Sequence, residues 1–367
     1  MMNVSSLDRV RGRRVVAFML GSLGDTLITL PALRVLREAI GPAGTLDLLN
    51  NDQGDGRVQP KEVLANEGLI DEFLLYPSPF PRRPGSLIDI TTALRRRRYE
   101  VAVCLLPSER PKRALLRDRL LFMLSGIHRT IGFSEVPGLA DFVCRCESPS
   151  EAVFRLWRLS GQAPGFEEWA SRIIADAYQL HPTAEELASA KGWLAARNLI
   201  DGVPLVGLAP GAKAPASRWP LTHFIRLAEK LIAICSARIV VVGGAHDADL
   251  VRAILAHIPT ARSAAGELSV RESAALLSLL DLYVGNDTGT THLAASVVTP
   301  TVALFSERAP EGQWRPLGGR CVVLRERVTC RCCRCEVCPV PGHPCLTGIS
   351  PERAFEAALS LIPKSER

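Results

Sequence analysis

The fold is decided by residues 279–305, which read LLDLYVGNDTGTTHLAASVVTPTVALF. The apolar run ending at Tyr283 and Val284 predicts a buried strand, the segment from Gly285 to Gly289 predicts a turn, and the residues after it predict a helix. Such a turn places backbone N–H groups and the positive end of a helix dipole where a phosphate can bind. We interpret it as the pyrophosphate site for a nucleotide, with an ordinary βα turn capped by Asp or Thr as the alternative. The side chains that would contact the phosphates are Asp287, Thr288 and His292.

A second strand, glycine turn and helix start lies near the N-terminus. The apolar residues 14–20 predict a strand buried on both faces, and GSLGD follows at residues 21–25. This turn lacks the third glycine of a dinucleotide fingerprint, which disfavours an oxidoreductase. Asp25 is either a helix cap or a carboxylate that points into the crevice at the end of its strand.

Length and composition predict two α/β domains. The chain has 367 residues, more than one core usually supports, and it is 47% hydrophobic and 22% charged. Strands alternate with helices in both halves, which indicates doubly wound parallel sheets. The predicted parts are an N-terminal domain over 1–180, a linker helix over 181–203, a C-terminal domain over 204–349 and a last helix over 350–367.

The sequence contains no apolar stretch long enough to span a bilayer and no cleavage site after its first apolar run, so we expect a cytoplasmic protein. The formal charge is +6, and basic residues are concentrated between Arg95 and Arg119. They form either a solvated helix face or a binding surface for an anionic acceptor or a lipid membrane. Nucleic acid is disfavoured because no aromatic residues interleave with them.

Eleven cysteines are present, and six of them lie within residues 330–345. Such crowding in the cytosol favours a metal over disulfides. A structural metal, free thiols and disulfides all remain open. The six are Cys330, Cys332, Cys333, Cys335, Cys338 and Cys345.

Four segments together resemble glycosyltransferase family 9, the ADP-heptose:lipopolysaccharide heptosyltransferases. They are FMLGSLGDTLITLPALRVLRE, LAPGAKAPASRWPLTHFIRLAEKL, VVVGGAHDADL and LYVGNDTGTTHLAASVVTPTVALFSE, in the family's order. The resemblance implies a GT-B fold, in which two Rossmann-like domains face each other across a cleft. It implies an acceptor on the N-terminal domain, an ADP-sugar on the C-terminal one, and inverting transfer that requires no cofactor.

The resemblance also assigns residues. Asp25, in GDTLITLPAL, matches the family's proposed catalytic base, which would take the proton of the acceptor hydroxyl. Asp247 matches an acidic position that could accept hydrogen bonds from ribose hydroxyls. The neighbours of the base on the acceptor-side loop are Ser22, Gly24 and Thr26, and the phosphate-binding segment runs from Asp287 through Thr288 and Gly289 to His292.

One position departs from the family, which often has a Lys where this chain has Ser217. A cation for the diphosphate must then come from Arg218 or Lys213, and these are not equivalent because Arg forms a bidentate fork and Lys a point charge. Trp219 is expected in the core, with stacking on a base as the alternative.

Similar heptosyltransferases that modify proteins hold iron through cysteines near their C-terminus. By this resemblance the cysteine-rich segment would hold a structural zinc or iron, and the candidate ligands are Cys332, Cys335, Cys338 and Cys345.

The predicted function is transfer of heptose or a related sugar from an ADP-sugar to an acceptor hydroxyl, with the lipopolysaccharide inner core as the acceptor. The alternatives are a protein acceptor, a nucleotide-sugar epimerase, and a non-catalytic nucleotide-binding or assembly module. No additional acid/base set that an epimerase would need is identifiable in the sequence.

Overall fold

The computed structural model describes residues 7–52, 54, 56–77, 84–134, 149–161, 165–200 and 202–362. They divide into two compact units, one up to Tyr178 and one from Gln179. The finer boundaries of the linker and the last helix stay predictions.

The N-terminal unit contains a parallel sheet of five strands in the order β3-β2-β1-β4-β5. The strands are β1 (Arg14–Met19), β2 (Thr45–Asp52), β3 (Glu72–Pro77), β4 (Val101–Cys104) and β5 (Arg129–Ile131). The helices are α1 (Leu23–Ile40), α2 (Pro60–Leu64), α3 (Pro84–Arg97), α4 (Lys112–Leu124), α5 (Glu151–Ser160) and α6 (Phe166–Ala177), after a 3-10 turn at Leu7–Val10.

The C-terminal unit contains a parallel sheet of six strands in the order β11-β10-β9-β6-β7-β8. The strands are β6 (Leu205–Ala209), β7 (Arg238–Val241), β8 (Arg262–Ser263), β9 (Leu282–Asn286), β10 (Thr301–Leu304) and β11 (Cys321–Leu324). The helices are α7 (Ala184–Ala195), α8 (Leu221–Cys235), α9 (Ala248–His257), α10 (Val270–Ser278), α11 (Gly289–Ser296), α12 (Pro344–Thr347) and α13 (Pro351–Leu361). Two 3-10 turns cover Pro215–Ser217 and Ala245–Asp247.

The strand orders confirm two doubly wound sheets. In each unit the first strand lies in the middle and the chain winds outward on both sides, so the order reverses beside that strand. The reversal lies between β1 and β4 in one unit and between β6 and β9 in the other. Ligands of such sheets bind at the carboxyl ends of the strands at this point, which is where both predicted glycine turns lie.

Local sequence signals predicted most elements correctly. The spacing of Thr183 and Glu186, and of Ser269 and Glu272, predicts two capping boxes, and both are present, at the starts of α7 and α10. Trp219 is confirmed as a core residue, since it is buried and its Nε1 donates to the Ile349 carbonyl oxygen at 2.8 Å.

One predicted helix was too long, and two strands were missed. The sequence pattern predicts a helix over residues 60–68, but this helix ends at Leu64, and a turn follows in which Gly68 adopts a positive φ. The strands β8 and β11 were not predicted, because the first has two residues and the second is only partly buried, which leaves little apolar pattern to detect. Within the described residues, no helix combines the length and apolar character needed to cross a membrane.

Candidate active site

In the C-terminal unit, the buried amide of Asn286 joins the ends of β6 and β9. Its Oδ1 accepts from the Trp219 backbone N–H at 2.9 Å. Its Nδ2 donates to the carbonyl oxygens of Pro210 at 2.8 Å and Gly211 at 3.2 Å. One side chain thus fixes the loop after β6 against the start of the predicted phosphate turn. Asn286 was not among the predicted site residues, although it lies within that turn.

Asp247 joins the loops after β6 and β7. Its carboxylate is buried and accepts from the Gly244 backbone N–H at 3.0 Å. A Cβ on Gly211 would lie 2.2 Å from Oδ1 and one on Gly243 would lie 2.7 Å from Oδ2, so both glycines make room for this carboxylate. Oδ1 has no hydrogen-bond partner among the described residues. An acceptor atom without a donor at this edge is suited to a ligand hydroxyl.

The N-terminus of α11 directly follows β9. Thr288 is its N-cap residue with extended backbone. The Thr288 carbonyl oxygen accepts from the N–H groups of Thr291 and His292, and the N–H groups of Gly289 and Thr290 precede the first bond within the helix. The Thr291 hydroxyl donates to the Asn286 carbonyl oxygen and lies 3.0 Å from the Tyr283 hydroxyl. The strand, turn and helix start predicted here are confirmed, and they present the geometry that anions bind.

Two ionisable groups in this turn have shifted pKa values. Burial lowers the pKa of His292 to about 4, so its imidazole is neutral at physiological pH. Burial raises the pKa of Asp287 to about 6, against the lowering effect of Arg325 and Arg308. The positive potential for a diphosphate must therefore come from the helix end and from cations outside the turn.

The loop after β6 carries the two predicted cations. Arg218 is partly buried, and its Nε donates to the Ala212 carbonyl oxygen at 2.9 Å, which ties its guanidinium to the loop. Lys213 is exposed. Ser217, where the family often has Lys, is only 3% exposed, so its side chain packs inside the protein.

In the N-terminal unit, Asp25 lies in the first turn of α1 and does serve as a cap. Its Oδ2 accepts from the Ser22 N–H at 3.3 Å, and its Oδ1 lies 3.6 Å from Nη2 of Arg155. The Asp25 side chain is 25% exposed and the Arg155 side chain 0%, so the carboxylate is accessible while its cation is enclosed. Gly21 has φ +116°, and a Cβ there would lie 2.1 Å from Cγ of Asp25.

Of the other acceptor-side residues, Ser22 and Gly24 are partly exposed. Thr26 is fully buried and its hydroxyl donates to the Ser22 carbonyl oxygen at 2.8 Å, so it stabilises the loop from inside.

A buried ionic network from α5, which was not predicted from the sequence, holds this edge. Arg155 Nη1 donates to Glu151 Oε2 at 2.8 Å. Glu151 in turn accepts from Ser108, from the backbone N–H at 3.0 Å and from the hydroxyl at 2.5 Å. Arg158, one turn on, donates to four carbonyl oxygens that follow β4 and β5, those of Leu106, Pro107, Gly132 and Ser134. The sequence gives one sign of this network: Glu151, Arg155 and Arg158 lie on one face of α5, and most other residues of this helix are apolar.

A cavity of about 260 Å³ opens beside this loop in the N-terminal unit. It touches the loop through Asn51, whose Oδ1 accepts from the Gly21 N–H at 3.1 Å. Its polar wall is Asp118, which is buried and accepts from Arg110 at 2.6 Å and Arg117 at 2.7 Å. Its apolar wall comprises Phe18, Leu20, Leu49, Tyr76, Ile90 and Leu121.

The cysteine-rich segment does not support the predicted ligand set. Cys332 is disulfide-bonded, which removes it from a set of thiolate ligands. The thiols of Cys330, Cys333, Cys338 and Cys345 line one small cavity of about 10 Å³. Among the residues described, however, no group of three or more His, Cys, Asp or Glu side chains is arranged to hold a metal.

The sequence comparison identifies the family. The sequence model of glycosyltransferase family 9 (heptosyltransferase) matches residues 157–343, just over half of the chain. Lipopolysaccharide heptosyltransferase 2 of Escherichia coli (strain K12) is 31% identical over 169 residues, which cover 44% of this chain and 48% of the relative. The chain thus spans about half the length of the curated relatives it matches.

The comparison of structures covers nearly the whole chain. The glycosyl transferase family 9 protein from Veillonella parvula DSM 2008 superposes with a TM-score of 0.75 at 20% identity, over 96% of this chain and 98% of that one. The E. coli ADP-heptose lipopolysaccharide heptosyltransferase II superposes with a TM-score of 0.69 at 20% identity, over 96% and 100%. At this identity the likeness shows the fold, which is GT-B. From the family match and this fold together, the chain belongs to glycosyltransferase family 9.

Proposed function

We propose that this protein is an inverting glycosyltransferase that moves heptose, or a related sugar, from an ADP-sugar to a hydroxyl of the lipopolysaccharide inner core. The observation that carries the proposal is the joined carboxyl edge of β6, β7 and β9. There the Asn286 amide donates to the Gly211 carbonyl oxygen, the Asp247 carboxylate lies against the same glycine, and α11 begins three residues after Asn286. The matched family segment, residues 157–343, contains all of them.

The donor would bind along this edge. The diphosphate would lie at the N-terminus of α11, where N–H groups stabilise the charge that builds up as the ADP leaves. The unpartnered oxygen of Asp247 would accept from a ribose hydroxyl of the same nucleotide. Arg218 is the better placed cation, since its anchored guanidinium costs less entropy to order than the exposed Lys213.

The acceptor would be activated by Asp25. The carboxylate takes the proton of the acceptor hydroxyl while that oxygen bonds to the anomeric carbon of the sugar and the bond from this carbon to the diphosphate breaks. Because attack comes from the face opposite the leaving group, the configuration inverts. The contacts from Ser22 and Arg155 fix the position of the carboxylate. The reaction requires no metal ion for these steps.

The cavity beside the Gly21 loop suits a phosphorylated glycolipid acceptor. Its apolar wall can contact sugar rings or a hydrophobic anchor, and Arg110 and Arg117 can reach an anionic group. The names of the relatives specify lipopolysaccharide as what they act on. We therefore favour the glycolipid over a protein acceptor, and expect the reaction at the cytoplasmic face of the inner membrane.

The test is turnover of ADP-heptose by the purified protein, with and without lipopolysaccharide that lacks its inner-core heptose. We expect ADP release that depends on the acceptor, with a heptosylated lipid as product. Release of ADP only when a polypeptide acceptor replaces the lipid would favour the protein-modifying alternative. No turnover with either acceptor, despite ADP binding, would favour the non-catalytic module.

A further inference from the structure

The outward faces of α3 and α4 expose an unusual set of large apolar side chains. On α4, Leu116, Leu120 and Leu124 recur at intervals of four residues and are 67%, 51% and 49% exposed. Met123 lies beside the same stripe and is 42% exposed. Single exposed leucines are ordinary, but a stripe of them on one helix face marks an interaction surface.

The adjacent helix α3 extends this stripe. The two helices pack together, and Nη2 of Arg95 on α3 donates to the Leu124 carbonyl oxygen at 2.6 Å. Ile88, which is 66% exposed, lies two helical turns before Arg95 on the same face, next to the exposed Leu87. We call this surface, formed by the apolar side chains of Leu87, Ile88, Leu116, Leu120, Met123 and Leu124, the leucine face.

Basic side chains border the leucine face. The exposed ones are Arg95, Arg96 and Arg98 at the end of α3 and Lys112, Arg113, Arg117 and Arg119 on α4. Two carboxylates share these helices. Asp118 points inward and is paired with Arg110 and Arg117, which leaves Asp89 as the exposed one among the described residues of α3 and α4. The face is thus apolar at its centre and positive at its border.

We propose that the leucine face binds the anionic surface of a lipid bilayer. Leucines that enter the boundary of the acyl chains and arginines that contact lipid phosphates are the combination that holds amphipathic helices at membranes. A second copy of the chain fits less well, because a symmetric contact would bring the same basic residues against each other. The opposite face of α4 lines the cavity beside the Asp25 loop through Leu121 and Asp118. Under the proposed function, membrane contact through α4 would thus bring that cavity to the lipid that carries the acceptor.

The test is co-sedimentation of the full-length protein with phosphatidylcholine vesicles that do or do not contain phosphatidylglycerol. It uses neither donor nor acceptor, so its outcome is separate from that of the transfer reaction. We expect binding to the anionic vesicles, weaker binding to the neutral ones, and partial loss at high salt. The triple variant Leu116→Ser/Leu120→Ser/Leu124→Ser and the double variant Arg113→Glu/Arg119→Glu should each bind at least about tenfold more weakly.

Matched controls carry the same kinds of change on the other unit: Ile234→Ser/Leu359→Ser for exposed apolar side chains and Lys191→Glu/Arg252→Glu for exposed basic ones. Both should bind like the unmodified protein, and circular dichroism would verify that every variant is folded. Absence of binding to anionic vesicles, or equal binding by the leucine variant, would overturn the proposal. A dimer in light scattering that the leucine variant converts to a monomer would also overturn it, and would assign the face to self-association.

Discussion

The two sheets share one winding pattern, yet their carboxyl edges are built from different chemistry. At the reversal point of the N-terminal sheet, Glu151, Arg155 and Asp25 form a buried ionic chain that ends in a partly exposed carboxylate. At the reversal point of the C-terminal sheet, the amide of Asn286 holds backbone carbonyls, and the nearby His292 is neutral. The first arrangement fixes a partly exposed carboxylate, and the second presents a helix N-terminus, which is a geometry that anions bind. Two sheets of the same topology thus differ in the charge at their carboxyl edges, because a few side chains differ.

The largest effect should come from Asp25→Asn, which keeps the size of the side chain and removes its basicity. We expect turnover to fall by about 10²- to 10⁴-fold, since this is what a general base contributes. Steady-state assays with ADP-heptose and acceptor would measure it. Affinity for ADP should not change, because the proposed donor site lies in the other unit. Unchanged turnover would reduce Asp25 to a helix cap.

Replacing Arg155 tests whether the buried charges of Glu151 and Arg155 depend on each other for stability. Arg155→Met leaves the buried carboxylate of Glu151 without its cation, and breaking a buried pair costs about 3–5 kcal/mol of unfolding free energy. Urea denaturation would measure this. Glu151→Gln/Arg155→Met should recover part of the loss, since no buried charge then lacks a partner. Equal stabilities of the single and double variants would contradict the coupling.

Gly21→Ala tests how closely Asp25 folds back on its loop. The added Cβ would overlap the Asp25 carboxylate, so the base should move by about 1 Å and turnover should fall by roughly 10²-fold. Gly68→Ala is the matched control, because Gly68 also has a positive φ but a Cβ there would meet nothing within 4 Å. If both variants lose activity equally, backbone strain and not the carboxylate explains the loss.

On the C-terminal edge, Asn286→Ala should weaken ADP binding about tenfold and reduce the unfolding free energy by about 2–3 kcal/mol, because buried partners lose their hydrogen bonds. Asn286→Asp retains the acceptor for the Trp219 N–H but places a carboxylate beside two carbonyl oxygens. It should therefore bind ADP no better than the Ala variant. Calorimetry of both variants would show whether the amide holds the donor loops, and unchanged ADP affinity would exclude that role.

The smallest expected effect is a pH dependence of donor binding. Because the pKa of Asp287 is raised to about 6, its carboxyl is neutral below that pH and anionic above it. Affinity for a diphosphate should therefore fall as the pH rises through 6, by roughly threefold. ADP-glucose is a suitable probe because its phosphates do not titrate in this range. Asp287→Asn should flatten the profile, and a dependence that survives in this variant would point to another group.

The sequence predicts the strand-turn-helix units well because their signals are local. Apolar runs, the glycines of the turns and the capping boxes lie within a few residues of one another, so β1, β9, α7 and α10 were found. The network of Glu151, Arg155 and Ser108 was not, since it joins residues 43 positions apart and depends on how α5 packs on the sheet. Asn286 lies within the predicted phosphate turn, but its role was not predicted, because it depends on carbonyl oxygens 75 and 76 residues away. Pairings over such distances leave no periodic pattern in one sequence.

The most direct test of an ADP-sugar site is a calorimetric titration of the purified protein with ADP, UDP, GDP and ADP-heptose. We expect binding of ADP and ADP-heptose in preference to UDP and GDP. Arg218→Ala should lose most of this affinity and Lys213→Ala should retain most of it. Equal binding of all four ligands, or of none, would contradict an ADP-sugar site at the carboxyl edge of β6, β7 and β9.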